Sequence, residues 1–216
     1  HNNEKLAKLR KWKKEAYQFV DIFHTPTERA KEALVKEGVD HGESSVITNR
    51  IDLQKFKSIN RVGHKKPLVI TVARHVKEKG IKVYDQVAQS LVKHADFRWV
   101  TSQDYQHMPD IYQSADIFYL PSQSTIGWEE QYGMGLVEAM ASGLPIVTTT
   151  SGAIPEVVAD AALISDPQDV VSHIKNIKSL IHDNERYAEY ANRSIKRAQI
   201  YDSKKVAKKL TTLYRL

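Results

Sequence analysis

At 216 residues and 41% hydrophobic content, the chain is long enough to bury a substantial core, which excludes global disorder. It has no cysteine, excluding a disulfide framework, thiolate metal sites and cysteine nucleophiles, and no apolar run approaches the roughly 20 residues of a membrane-spanning helix. The net charge of +6 sits at the two ends, six basic side chains against Glu4 in residues 1–14 and eight against Asp202 in 193–216, so the middle is acidic. The basic ends read as solvated or partner-facing helices, with docking on anionic lipid next and nucleic acid last, for want of stacking aromatics among the basic residues. The chain opens on His1 without a charged-then-apolar leader, so a trimmed fragment is expected.

In chain order, Leu6, Leu9, Trp12, Ala16 and Phe19 recur at helical spacing and predict a first helix. Thr25-Pro26-Thr27-Glu28 then supplies a cap and an early proline for a second helix running to about Gly38. Ser45–Thr48 reads as a short strand, and the polar stretch Gln54–Lys66, ending at Pro67, is the best linker candidate. From Leu68 the pattern becomes βαβα. Strands are predicted at Leu68–Val72, Phe97–Val100, Ile117–Leu120, Pro145–Thr148 and Ala162–Ile164, with helices between them. One helix carries Ile81, Tyr84, Val87, Ala88, Leu91 and Val92 on a stripe, and another includes Leu136, Val137, Ala139 and Met140. Val206, Leu210, Leu213 and Tyr214 predict a C-terminal helix after Asp202-Ser203. The fold class is therefore α/β, a doubly wound parallel sheet with flanking helices. Its parts are 1–66, then the sheet domain 67–201, then the helix 202–216.

Such sheets bind ligands outside the carboxyl ends of their strands, which singles out four loops: 74–80, 101–108, 121–135 and 149–156. Arg74 and Lys79 lie in the first, where two cations at a helix start can grip a diphosphate, or can be an ordinary solvated loop. In the third, Glu130 and Glu138 have seven residues between them and bracket the glycine-bearing turn Gly133-Met134-Gly135. Carboxylates can accept hydroxyl donors in pairs. A dipole-stabilised helix acid is the plainer role for Glu138, and a helix-start role stands equally for Glu156. The turn is no dinucleotide fingerprint, since a third glycine is missing. No two histidines, among them His24, His75 and His107, stand at metal-ligand spacing, and no Asp-x-Asp pair occurs.

The run from Glu130 to Pro145 resembles the signature of retaining glycosyltransferases with two Rossmann-like domains (the GT-B architecture), group 1 family, related to glycogen and sucrose synthases. Val46–Asp52 with Phe56, Arg74 with Lys79, Asp116–Ser122 and Gly152–Val158 are similar to other segments of that family. Residues 1–66 would then be a remnant of the first domain with the interdomain segment, and 67–201 the Rossmann-like donor-binding domain.

The resemblance implies transfer of a sugar from a UDP, GDP or ADP sugar, the co-substrate, with retention and without bound metal or other cofactor. Arg74 and Lys79 would hold the diphosphate, Glu130 and the amides of Gly133, Met134 and Gly135 the transferred sugar, and Glu138 the ribose. The base would lie near Trp99–Ser102, and a glycan or lipid-linked acceptor would be held by an N-terminal domain. A cytoplasmic location, with peripheral contact at the inner membrane face, is the matching expectation. A non-catalytic nucleotide-sugar-binding module and a membrane-surface interaction module are the alternatives. The sequence departs from the family pattern at Ala73 and Arg50, where glycine is common. It also inserts Thr125–Glu129, so Glu129 competes with Glu130 for the acid's role. Trp128 either floors a ligand pocket or anchors its loop.

Overall fold

The computed structural model describes residues 11–13, 15–39, 44–59 and 65–214, and the chain divides into two compact units, His1–Thr48 and Asn49–Leu216. In the first unit, residues 11–13 and 15–17 are helical and the chain turns before Phe19, which is exposed. The predicted first helix therefore ends sooner than its apolar stripe implied, and Leu6 and Leu9 lie outside the described residues. Two strands, β1 (Phe23–Thr25) and β2 (Ser44–Val46), pair in parallel around helix α1 (Glu28–Lys36). Thr27 caps α1, its hydroxyl accepting the Ala30 N–H at 3.1 Å. β1 was not expected, because three residues containing His24 carry no alternation to read.

The second unit holds β3 (Leu68–Val72), β4 (Asp96–Val100), β5 (Ile117–Leu120), β6 (Ile146–Thr149) and β7 (Ala162–Ser165), all parallel in the order β4-β3-β5-β6-β7. The connections are α2 (Ile81–Leu91), α3 (Met108–Gln113), α4 (Met134–Ala141) and α5 (Ile154–Val158), followed after β7 by α6 (Val170–His182), α7 (Asn184–Ala198) and α8 (Ser203–Leu213). Each predicted strand is present within a residue or two. Residue alternation in the strands sends side chains to opposite faces. Ile70, Phe118, Leu120 and Ile146 join Leu136 and Met140 of α4 in one core, while Val69, Ile117, Tyr119 and Val147 join Val87 of α2 and Ile177 of α6 in the other. Both faces are covered, as an all-parallel sheet requires.

Residues 49–59 belong to this second unit rather than to a separate 1–66 segment: Ile51 pairs with Asp202, and Phe56 is fully buried in the α4 core. The C-terminal helix is packed here too, through buried Val206, with Lys204, Lys205, Lys208 and Lys209 exposed. Asp202 caps α8 by accepting the Lys204 N–H at 2.7 Å. Asp202→Ala is expected to cost about 1 kcal/mol through the lost cap, read as a lower urea midpoint with an unchanged slope. Among the described residues, no helix is long and apolar enough to cross a membrane.

The strand order reverses between β3, whose next strand lies on one side, and β5, which lies on the other. This is the topological switch point, and the loops that leave β3 and β5 line its crevice.

Candidate functional site

The β3 loop delivers Lys79 at the end of a short 3₁₀ turn, Lys77–Lys79, and Gly80 then opens α2. Gly80 has φ +79°, and a β-carbon there would lie 1.9 Å from the Pro121 carbonyl oxygen, so only glycine lets the two switch-point loops touch. The Gln123 N–H donates to the Glu78 carbonyl at 2.8 Å and ties the same loops together.

This contact brings the Lys79 ammonium onto Glu130 as an ion pair with both side chains largely buried. The Ser122 hydroxyl donates to the same carboxylate oxygen, Oε2, at 3.0 Å, and the Trp128 ring centroid lies 5.2 Å from Lys79 Nζ. The Glu130 backbone is clamped as well, its carbonyl accepting the Ala153 N–H at 2.7 Å. Of the two neighbouring acids, Glu130 is the one joined to Lys79, while Glu129 is half-exposed.

Across the Gly133-Met134-Gly135 turn, Glu138 is buried on α4 and accepts the Tyr112 hydroxyl at 2.6 Å. Burial holds the Glu138 carboxyl above its ordinary value of 4.5, against the opposing pull of the Tyr112 hydrogen bond. The Tyr112 hydroxyl is itself held well above its usual range by burial and by the carboxylate beside it. A raised carboxyl penalises the folded state only when ionised. The penalty is absent below the ordinary carboxylate range and grows as pH rises from there through the folded value. Glu138→Gln is therefore expected to stabilise the protein near neutral pH, with the gain vanishing in acid. Urea midpoints at the two pH values test this.

Arg74 follows β3 and is exposed, with no side-chain partner among the described residues. The fold places it on the loop that carries Lys79 but does not join it to the Lys79–Glu130 pair. Gly133, in the left-handed region, opens α4, and Met134 and Gly135 form its half-buried first turn. Helices α2 and α4, which follow the β3 and β5 loops, start without a side-chain cap bond, as do α3 and α5 after β4 and β6. By contrast α1, α6, α7 and α8 are capped by Thr27, Asp169, Asp183 and Asp202. The crevice thus gathers helix starts whose N–H groups and dipoles favour an anion.

Beyond β4, a cavity of about 570 Å³ is lined by Arg98, residues 99–103, His107 and Asp110. Trp99 serves the fold: its indole N–H donates to the Ala73 carbonyl at 2.9 Å and its ring packs edge-on against Tyr84. His75 packs on Trp99 in turn. Among the described residues no three His, Asp or Glu side chains converge on a metal position.

Residues 84–197, just over half of the chain, match the family described as glycosyl transferases group 1. That span contains Glu130 and Glu138 and begins after Arg74 and Lys79. The chain is 29% identical over 146 residues to a sulfoquinovosyl transferase of Arabidopsis thaliana, covering 56% of this chain and 28% of the relative. It is 28% identical over 136 residues to a D-inositol 3-phosphate glycosyltransferase of Corynebacterium urealyticum, covering 62% and 31%. The chain thus spans less than a third of the length of these relatives. In fold it resembles Anabaena HepE, solved with UDP and glucose, with a TM-score of 0.76 at 19% identity over 93% of this chain and 65% of that one. The parallel sheet, its switch-point crevice and the matched span agree: the chain belongs to the group 1 glycosyl transferase family.

Proposed function

We propose that this chain is the donor-binding part of a glycosyltransferase that takes a nucleoside diphosphate sugar and transfers the sugar, with retention, to an acceptor. The observation that carries this reading is the meeting of Lys79, Glu130 and Ser122 at the switch point, one turn away from the Glu138–Tyr112 pair. A cation stands there for phosphate, with the Glu130 carboxylate beside it and the Glu138 carboxylate on the following helix for hydroxyls. Lys79, Arg74 and the uncapped amides would stabilise the charge that builds on the departing diphosphate. A well-placed donor of this kind contributes about 3 to 4 kcal/mol to a transition state. Glu130 and the Gly133–Gly135 turn would orient the sugar, Glu138 the ribose, and the cavity beside residues 99–103 would take the base. The UDP and glucose in HepE support this class of ligand.

The acceptor would be held by sequence of the kind that the longer relatives carry beyond the matched third. The first unit supports this, since α1 has no buried residue and a two-stranded parallel ribbon cannot cover both its faces. Calorimetry with UDP, GDP, ADP and their sugar conjugates tests the proposal. One nucleotide series is expected to bind to this chain, without sugar transfer by the chain alone. Failure of every series to bind would refute the donor-site reading, and turnover by this chain alone would refute the divided site.

A further inference from the structure

The ten residues from Pro121 to Glu130 form a closed flap. Thr125 and Trp128 exchange backbone hydrogen bonds, Thr125 N–H to Trp128 O at 2.8 Å and Trp128 N–H to Thr125 O at 3.2 Å, with Gly127 at φ +86° in the turn. Ile126 at the tip is fully exposed, whereas the flap's two ends are buried and joined by the Ser122–Glu130 hydrogen bond. The Ser124 and Ser151 hydroxyls, 3.0 Å apart, add a side tether to the β6 loop. Trp128 is thereby held in register with Glu130, half-buried, with one face toward the Lys79 ammonium.

We propose that Trp128 is a platform for the apolar face of the transferred sugar, and that the Thr125–Trp128 flap sets which sugars the site accepts. The proposal rests on the reading of the crevice as a nucleotide-sugar site. Lys79 now satisfies the Glu130 carboxylate and the Trp128 ring together. A diphosphate carries more charge than the Glu130 carboxylate and outweighs a ring quadrupole, so it draws the ammonium toward itself, while sugar hydroxyls donating to Glu130 replace the contact that this carboxylate loses. Glu130 and Trp128 are then released at once, side by side, where the group beyond the phosphates must lie. A hexopyranose matches that pair: its hydroxyls donate to the carboxylate, and the C–H groups of one ring face pack on the indole. Sugars whose axial hydroxyls interrupt that face fit less well, which is how the flap discriminates.

Titration of this chain with a nucleoside diphosphate and with its sugar conjugate tests the assignment. Trp128→Ala is expected to weaken the sugar conjugate at least about tenfold while changing the parent diphosphate less than about threefold. Trp128→Phe should stay within about threefold of the original for both. Trp128→Leu, which keeps an apolar anchor but no ring face, should repeat the alanine result and serves if the alanine variant fails to fold. Equal weakening of both ligands would overturn the platform by showing that Trp128 acts only through Lys79. Unchanged affinities would remove Trp128 from the site. If the unaltered chain binds neither ligand, the nucleotide-sugar reading itself has failed, before any variant is compared.

Discussion

Replacing Lys79 with methionine is expected to damage both stability and ligand binding, by separable amounts. The Lys79 and Glu130 side chains are 13% and 8% exposed, so removal of the ammonium leaves a buried carboxylate that still accepts the Ser122 hydroxyl but has lost its counter-charge. Breaking one partner out of a buried pair costs about 3 to 5 kcal/mol, most of it the penalty on the stranded charge. Lys79→Met combined with Glu130→Gln removes that charge and should recover most of the stability, which a double-mutant cycle on urea midpoints measures. Ligand binding should not recover with it. The double variant still lacks the charge-assisted contact to phosphate, about 1.5 to 3 kcal/mol, and should lose nucleoside diphosphate affinity far more than nucleoside affinity. Equal loss of the two ligands would place Lys79 away from the phosphates. Arg74→Ala, with no buried partner to strand, should show the binding loss without the stability loss.

That separation was not readable from the sequence. Its pattern paired Lys79 with Arg74 on one loop, as two cations for one diphosphate. In the folded chain, Lys79 instead meets Glu130, 51 positions away. The strands β3, β5, β6 and β7 were legible as short runs rich in apolar residues and bounded by turn residues, and edge strand β4 by the alternation of Phe97 and Trp99 with polar residues. Strand order is not a local property, and the switch point between β3 and β5 became visible only with the fold. The acids Glu130 and Glu138 stood out through their spacing and the family resemblance. Their partners did not: Ser122 lies in an ordinary strand-end run, and Tyr112 reads as a core aromatic, which it also is. Phe56 shows the opposite failure. Embedded in the polar stretch 54–66, it reads with a linker by its neighbours and is set apart only by the family resemblance, yet it is fully buried and packs edge-on with Tyr112, whose hydroxyl meets the Glu138 carboxylate.

Gly152→Ala is expected to unseat Glu130 without touching any charged group. Gly152 sits at φ +57°, and a β-carbon there would lie 2.0 Å from the Glu130 carbonyl oxygen and 2.8 Å from its backbone nitrogen. Alanine can tolerate the left-handed backbone at a cost of about 1 kcal/mol, but a rigid peptide group cannot move aside as a flexible side chain would. The Glu130 peptide must shift, and with it the bond from Ala153 N–H to the Glu130 carbonyl and the seat of the carboxylate against Lys79 and Ser122. Together the strain and overpacking should cost about 2 to 4 kcal/mol, a lowered thermal midpoint being the first sign. Sugar-conjugate affinity in the still-folded fraction should therefore fall more than affinity for the parent diphosphate, since the cations proposed to hold the diphosphate, Arg74 and Lys79, lie on another loop. Gly127→Ala, with φ +86° but open space around its β-carbon, supplies the control: backbone strain alone, without the collision. If the two alanine variants lose stability and sugar affinity equally, the contact between Gly152 and the Glu130 peptide is not what holds the carboxylate in place.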